Sequence, residues 1–428
     1  MKKKTIVLLI CALLITVSRQ GIAQEEQALL FPAFQIALEN NPNVKAALAS
    51  IKSAKGKSTQ AGLRPNPKAF IEMENFGGNE SLSGFDSAEI TFGIEQEIEI
   101  AGKRTYRQEI AKYGSAIAQQ EAFSSILLIL AHVHQSYVHF VIAQERLSLA
   151  QKRMALSEQT HEAVKSRVSA AAASKIQHTK VDIEQKIAAI DKNKAIENLT
   201  SAKSQLEKVL STHSDSITFS REILSVPFLL PSKDELIAAL NSLPQLEIIR
   251  LKKLQAKSNI NLANAHRITN PTIGGGVRHF KESSSNAFVA NFSIPIPIFN
   301  RNQGNIVHAQ AEYLKVSSEV ESEYLILKEM AEKIYGQLIS NSSEVRAYRD
   351  SIIPSAEKAY HQATQGYHSG RFSFLELIDS QRTLYKIQEA YLNSLLKFHE
   401  AKAQVDFILG VNKDLVQDIV STNHLGQR

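Results

Sequence analysis

Between Glu89 and Ile100 the chain alternates apolar and polar positions. Ile90, Phe92, Ile94, Ile98 and Ile100 take even positions, and Glu89, Thr91, Glu95, Glu97 and Glu99 take odd ones. Residues 287–299, AFVANFSIPIPIF, do the same, with Phe288, Ala290, Phe292, Ile294, Ile296 and Ile298 on one face. A period of two predicts strands, and four are expected, at about 67–77, 87–100, 271–281 and 286–298. Elsewhere the period is helical. Ile126, Leu130, Val133, Tyr137 and Phe140 are spaced four and three, as are Val320, Tyr324, Leu327, Ala331, Ile334 and Leu338. That 3.5-residue repeat gives a narrow coiled-coil seam. Helices are expected at about 33–62, 102–170, 174–210, 233–266, 300–370 and 372–410. The two longest would each span roughly 100 Å at about 1.5 Å per residue.

The pattern occurs twice. ALENNPNVKAALASIKSAKG (37–56) parallels ALNSLPQLEIIRLKKLQAKS (239–258), with a proline four residues after the leading Ala-Leu in both. Asn66-Pro67 parallels Asn270-Pro271, and EIEIAGKR (97–104) parallels PIPIFNRN (295–302), at an offset of about 200 residues. Two structural repeats follow, about 33–210 and 233–410, each with the order helix, strand, strand, long helix, helix.

Taken alone, the helical stretches fit a solvated coiled-coil scaffold. The strands fit either a half-buried antiparallel sheet or membrane strands, which need about ten tilted residues and alternate apolar-out with polar-in. Four strands cannot close a barrel, and lipid does not tolerate open edges. Membrane strands would therefore require several chains to share one barrel.

Composition sharpens this picture. With 18 glycines and 11 prolines in 428 residues the chain suits long helices. Its N-terminus reads as an export signal over residues 1–23: basic MKKK, apolar TIVLLICALLITV, then the small residues Gly21 and Ala23. Its removal would leave a mature chain 24–428 and lower the net charge from +6 to +2, because Lys2, Lys3, Lys4 and Arg19 leave with it. The basicity then gives no support for nucleic-acid binding. The single cysteine, Cys11, falls in the apolar stretch behind bulky Leu9 and Ile10, so it reads as signal filler and no thiolate or disulfide remains. No later run reaches 18 apolar residues, so no transmembrane helix is expected in the mature chain.

AGLRPNPKAFIEMENFGG, GIEQEIEIAGKR, NPTIGGGVRHF, FSIPIPIFNRNQGNI and GYHSGRFSFLELIDSQRTLYKIQEAY, in this order and spacing, resemble the TolC-type outer-membrane efflux proteins. The resemblance is to the branch serving heavy-metal and related cation pumps, and it covers essentially the whole mature chain. It implies a mainly α fold with a membrane β-barrel: a long coiled-coil α-barrel plus four strands per chain, the strands shared in a twelve-stranded barrel in a homotrimer. It also implies an outer membrane in a Gram-negative bacterium, helices in the periplasm, and a periplasmic adaptor with a proton-driven, RND-type inner-membrane pump as partners. No chemistry and no cofactor are implied. The alternative within transport is the outer channel of a protein-secretion (type I) system, and outside transport a periplasmic tether. Many members of the branch carry an acylated N-terminal cysteine; the expected mature start here has none, which leaves the barrel as the anchor.

The resemblance also suggests site residues. Helical tips fall near 166–177 and 365–374, where Tyr367 matches a tyrosine that helps hold the family's entrance shut. Lys175 stands about where a partner aspartate is expected, and Arg371 lies one residue from the arginine position. The plain alternative for Tyr367 and Arg371 is ordinary tip surface. Asp379 and Arg382 read as inter-helix polar pairs. Gly102, Lys103 and Arg104, with Asn300, Arg301 and Asn302 as counterparts, are expected to mark the turns from strand to helix. Glu72, Glu74, Glu95, Glu97 and Glu99 are candidate pore-lining carboxylates; rings of them favour cations, the alternative being a wetted wall without selectivity.

Other chemistry finds little support. His132 and His134 are two apart on a helix and point to different faces, and His361 and His368 are two turns apart, so neither pair chelates one ion. His132, His134 and His139 read as isolated structural histidines rather than a metal site. The glycines of TIGGGVRHF sit inside a strand pattern, where they signal a bend or close backbone approach rather than a phosphate loop.

Overall fold

A computed structural model describes residues 28–214, 219–226 and 230–425. The export-signal segment and Cys11 lie outside the described residues. In order, the chain forms α1 (28–40), α2 (Pro42–Ala61), β1 (Lys68–Glu74), β2 (Glu89–Glu97), α3 (Lys103–Ser169), α4 (Lys175–Leu210), α5 (Lys233–Ala239), α6 (Pro244–Ala265), β3 (Thr272–Phe280), β4 (Ser285–Ser293), α7 (Gln303–Ala347), α8 (Ile353–His368), α9 (Phe374–Leu409) and α10 (Lys413–Leu425). The chain divides into two compact units.

Of the described residues, the first unit holds 28–47, 123–214, 219–226, 230–243 and 326–425. Its core is made by the expected seams. Ile126, Leu130, Val133, Tyr137 and Phe140 on α3 are buried, as are Leu327, Ala331, Ile334 and Leu338 on α7. On α4 the buried positions Val181, Ala188, Ala195 and Ala202 recur every seven residues, and small side chains there let a neighbouring helix approach closely. By length and composition alone one 18-residue window of α3 could cross a membrane, but 67% of that window is buried inside the structure, as in a core helix.

The expected second long helix is interrupted. Between α7 and α8 lies one π-helical turn, Tyr348–Ile352, and Pro354 follows at the start of α8. Proline has no N–H to give to the carbonyl four residues back, so the regular ladder cannot run through. Proline also splits two of the other expected helices: Pro42 separates α1 from α2, and Pro244 opens α6 after the short turn 240–242.

The second unit holds residues 48–122 and 244–325. It contains one antiparallel sheet in the order β1-β2-β3-β4, with β1 and β4 as open edges in the single chain. The register pairs Ile71 with Phe92, Phe92 with Val277, and Val277 with Phe288, so these four apolar residues, one from each strand, share one face. The strands are shorter than the alternation suggested. β1 stops at Glu74, where Asn75 and then Gly77 take positive φ. β4 stops at Ser293 rather than 298: β3 begins at Thr272 and offers no further partner, and Pro295 and Pro297 have no N–H for a ladder. The Thr269 hydroxyl instead donates to the Pro295 carbonyl at 2.6 Å.

Candidate functional site: the sheet wall, its junctions and the helical tips

The two faces of the sheet differ sharply. One carries Ile71, Phe92, Ile94, Val277, Phe288 and Phe292, all exposed, with Phe288 at 93%. The Ile294–Phe299 extension continues this apolar character, with Ile296 at 78%. An exposed apolar face of this kind, with Gln96, His279 and Asn286 only toward its ends, is what lipid requires and water penalises. At the hairpin end the exposed rings of Phe76 and Phe85 stack with centroids 5.8 Å apart.

The other face carries the carboxylates. By register Glu72, Glu74, Glu89, Glu95 and Glu97 share it with Lys68, Thr91 and Arg278. Glycines also cluster there. A Cβ on Gly276 would sit 2.3 Å from the Phe92 carbonyl oxygen, and one on Gly93 would strike the Phe70 ring at 2.4 Å. At Gly276 the nearest atoms are backbone of the neighbouring strand, so that position leaves room only for hydrogen.

Four of the five candidate wall glutamates lie on this face, each in a different setting. Glu72 is exposed and has no hydrogen bond or ion pair among the described residues. Glu74 pairs with Arg278 at 2.7 Å. Glu95 lies 3.7 Å from Lys68, and Glu97 accepts from the Asn270 amide at 2.6 Å. Glu99 lies past the end of β2 at Glu97, and the Arg107 guanidinium grips both its carboxylate oxygens. Its side chain is 11% exposed, at the strand-to-helix junction. Glu89 and Arg278 also lie on this face, which only the register across strands reveals.

At the first junction Ala101 and Gly102 both take positive φ, turning the chain from strand to helix. Lys103 then starts α3 while only 3% exposed. Its ammonium donates to the Ile268 carbonyl and the Asn270 side-chain oxygen, and desolvation pulls its pKa below the usual lysine value. Arg104 Nε donates to the Gly62 carbonyl at 2.6 Å. The GKR sequence is thus a turn followed by two bolts, one to the α6–β3 segment and one to the end of α2. The second junction uses amides instead. Asn302, at positive φ, donates to the Ala263 carbonyl at 2.7 Å, and Asn300 accepts from the Asn302 N–H at 3.0 Å. Arg301 is exposed and makes only local contacts.

The tips lie in the first unit. Both helical hairpins end in the same closure: Ala172 N–H donates to the Arg167 carbonyl at 2.7 Å, and Arg371 N–H to the Gly366 carbonyl at 2.8 Å. Ala171 and Gly370 supply the left-handed residue, so these are Schellman caps. The gate candidates do not converge. Tyr367 is not tip surface: it packs with Val164, Val181, Phe374, Leu377 and Ile378, with the Arg167 guanidinium 4.7 Å from its ring centroid. Arg371 folds back onto the Ser369 hydroxyl at 3.0 Å. Lys175 is exposed at the start of α4. The polar ties between helices lie farther along the hairpins, where Arg382 pairs with Glu184, Arg153 with Asp191, and Arg146 with Glu389. Arg153 also approaches the ring of Tyr385, whose phenol burial pushes up to about 12. Asp379 is exposed. His139 pairs with Glu400 at 2.8 Å, and His134 meets the ring of His399 at 6.4 Å in the core. No group of three metal-ligating side chains converges among the described residues.

An open-edged sheet with one lipid-type face and one charged face, joined to coiled-coil helices, defines an outer-membrane channel subunit. The Outer membrane efflux protein family model matches residues 33–212 and 238–411, and the chain belongs to that family. It is 27% identical over 378 residues to the cobalt-zinc-cadmium resistance protein CzcC of Cupriavidus metallidurans, covering 88% of this chain and 89% of that one. It is 21% identical to the cation efflux system protein CusC of Escherichia coli strain K12, over 83% of this chain and 81% of the relative. A crystal structure of CusC superposes with a TM-score of 0.74 at 18% identity, covering 89% of this chain and 92% of that chain. VceC of Vibrio cholerae gives 0.71 at 17%, covering 90% and 97%. These matches favour an efflux channel over a secretion channel.

Proposed function

We propose that three copies of the chain close a twelve-stranded barrel and serve as the passive exit duct of a three-part efflux system. The cargo we assign is metal cations, with small toxic compounds as the second class. One observation carries the reading: the four-stranded sheet exposes a continuous apolar face and two unpaired edges, a state stable only if other copies supply strands and lipid covers the face. A periplasmic adaptor and a proton-driven, RND-type pump would deliver cargo and energy, so the channel itself catalyses nothing. The metal assignment is supported by the resistance proteins to which the chain is similar. The wall assignment, Glu72, Glu74, Glu95 and Glu97, is supported by the shared polar face and its surplus of carboxylates.

A strain lacking this chain tests the reading. It is expected to lose tolerance to cobalt, zinc or cadmium, and a plasmid copy should restore it. Unchanged tolerance to these metals and to small toxic compounds would refute the cargo assignment.

A further inference from the structure

The polar face of the sheet holds five carboxylates and two cations, a net −3 per chain. The two cations are held differently. Lys68 has a 76% exposed side chain and stands 3.7 Å from Glu95, a loose pair. Arg278 is built in. From β3 its Nη1 meets Glu89 Oε2 of β2 at 2.8 Å, its Nε donates to the Thr91 hydroxyl of β2 at 2.9 Å, and its Nη2 reaches across to Glu74 Oε2 of β1 at 2.7 Å. Thr91 is buried, and the second oxygen of Glu89 accepts from the Asn75 amide at 2.8 Å. Every arm of the guanidinium therefore has a partner, and its position is fixed by three strands.

Gly274 and Gly276 precede Arg278 on the same face of β3, so that strand offers no other side chain there between Thr272 and Arg278. The hairpin-end half of the wall thus contains Glu72, Glu74 and Glu89 against this one cation.

We propose that Arg278 is a selectivity-setting residue of the duct: a fixed counter-ion that pairs with two of the three hairpin-end carboxylates, cancels one of their charges and caps the cation preference of the wall. The idea rests on the channel reading above. Three copies would bring −9 to the lumen with Arg278 in place and −12 without it. A guanidinium suits this task because it stays charged at all working pH values and its fork meets two carboxylates at once. A pore wall in contact with water feels such charges over a Debye length of about 10 Å at 0.1 M salt.

Reversal potentials across planar bilayers in a KCl gradient test it. Arg278→Gln is expected to raise the potassium-to-chloride permeability ratio about twofold or more near 0.1 M, the gain shrinking toward 1 M as screening shortens. Arg278→Lys keeps the charge and should keep the wild-type ratio. Glu74→Gln/Glu89→Gln leaves the guanidinium bare and should lower the ratio, which keeps the proposal testable if Arg278→Gln does not assemble. A conducting wild type whose ratio is unmoved by Arg278→Gln and by the double variant would overturn the role of Arg278 alone. A wild type that forms trimers in the bilayer and never conducts would overturn the channel reading with it.

Discussion

The guanidinium of Arg167, in the last turn of α3, lies 4.7 Å from the centre of the Tyr367 ring on α8. The Tyr367 side chain is buried and its hydroxyl has no hydrogen-bond partner among the described residues. Tyr367 therefore works in this chain as a packing ring under a cation, an arrangement worth about 0.5–2 kcal/mol beyond its apolar burial. Tyr367→Phe removes a polar group without a partner and should shift stability by no more than about 1 kcal/mol. Tyr367→Ala should cost about 3–5 kcal/mol through the cavity it opens. Thermal unfolding of purified protein checks both. A Phe variant that melts well below wild type would mean that the hydroxyl is used in the assembled channel, as a gate would use it.

The first junction should depend on Lys103 far more than a surface lysine warrants. Its ammonium is buried and bonded to the Ile268 carbonyl and to Asn270. Lys103→Met keeps most of the volume and leaves those acceptors without their donor, at a cost of about 2–4 kcal/mol. The counterpart Arg301→Met, at an exposed position, should cost less than about 0.5 kcal/mol. Melting both variants side by side gives the comparison, and equal losses would contradict the bolt.

The glycines of β3 make a sharper pair. An alanine Cβ at 276 would lie 2.3 Å from the Phe92 carbonyl oxygen and 2.8 Å from Gly93 Cα, both backbone. At 275 the nearest atom is the Val289 carbonyl oxygen, at 3.5 Å. Gly276→Ala should therefore cost more than about 2 kcal/mol and Gly275→Ala no more than about 1 kcal/mol. The amount of heat-modifiable protein in outer-membrane fractions reads this out, with the 276 variant depleted and the 275 variant near wild type.

How far the sequence could be read follows from these same residues. Alternation located β2 and β4, because a side chain every second residue is a local property, and the internal repeat located β1 and β3. The alternation overran β4, because IPIPIF keeps the apolar period while its two prolines lack the N–H a ladder needs. Helix lengths came from the seams, and the interruption of the second long helix was readable in hindsight from Pro354. The wall was partly legible. The glutamate row stands in the sequence, yet the pairing of Glu74 and Glu89 with Arg278 needs a register over three strands, and the capture of Glu99 by Arg107 needs the two positive-φ residues between them. At the tips the resemblance located Tyr367 and Arg371. It did not reveal that one faces inward and the other folds onto its own turn, because four helices decide that.

The tip of the second hairpin should carry a measurable acid sensitivity. Ser373 caps α9, and Glu376 closes a capping box with it, accepting from the Ser373 N–H at 2.6 Å while Ser373 accepts from the Glu376 N–H at 3.3 Å. These bonds hold the Glu376 carboxyl below the ordinary glutamate value. A carboxylate with a lowered folded pKa adds stability that is present above the unfolded value, about 4.3, and is lost as pH falls through the folded one. The cap should accordingly be intact at neutral pH and loosen below about pH 4. The first hairpin provides the control, since Ser174 caps α4 with Gln177, which does not titrate, at the equivalent position. Hydrogen exchange of the first α9 amides, corrected for intrinsic rates, should then show protection at pH 7 that falls toward pH 3.5, while the first α4 amides show no such step. Glu376→Gln should give weaker protection at pH 7 and abolish the step. An equal acid step at both helix starts, or one that survives in Glu376→Gln, would place the sensitivity elsewhere in the tip.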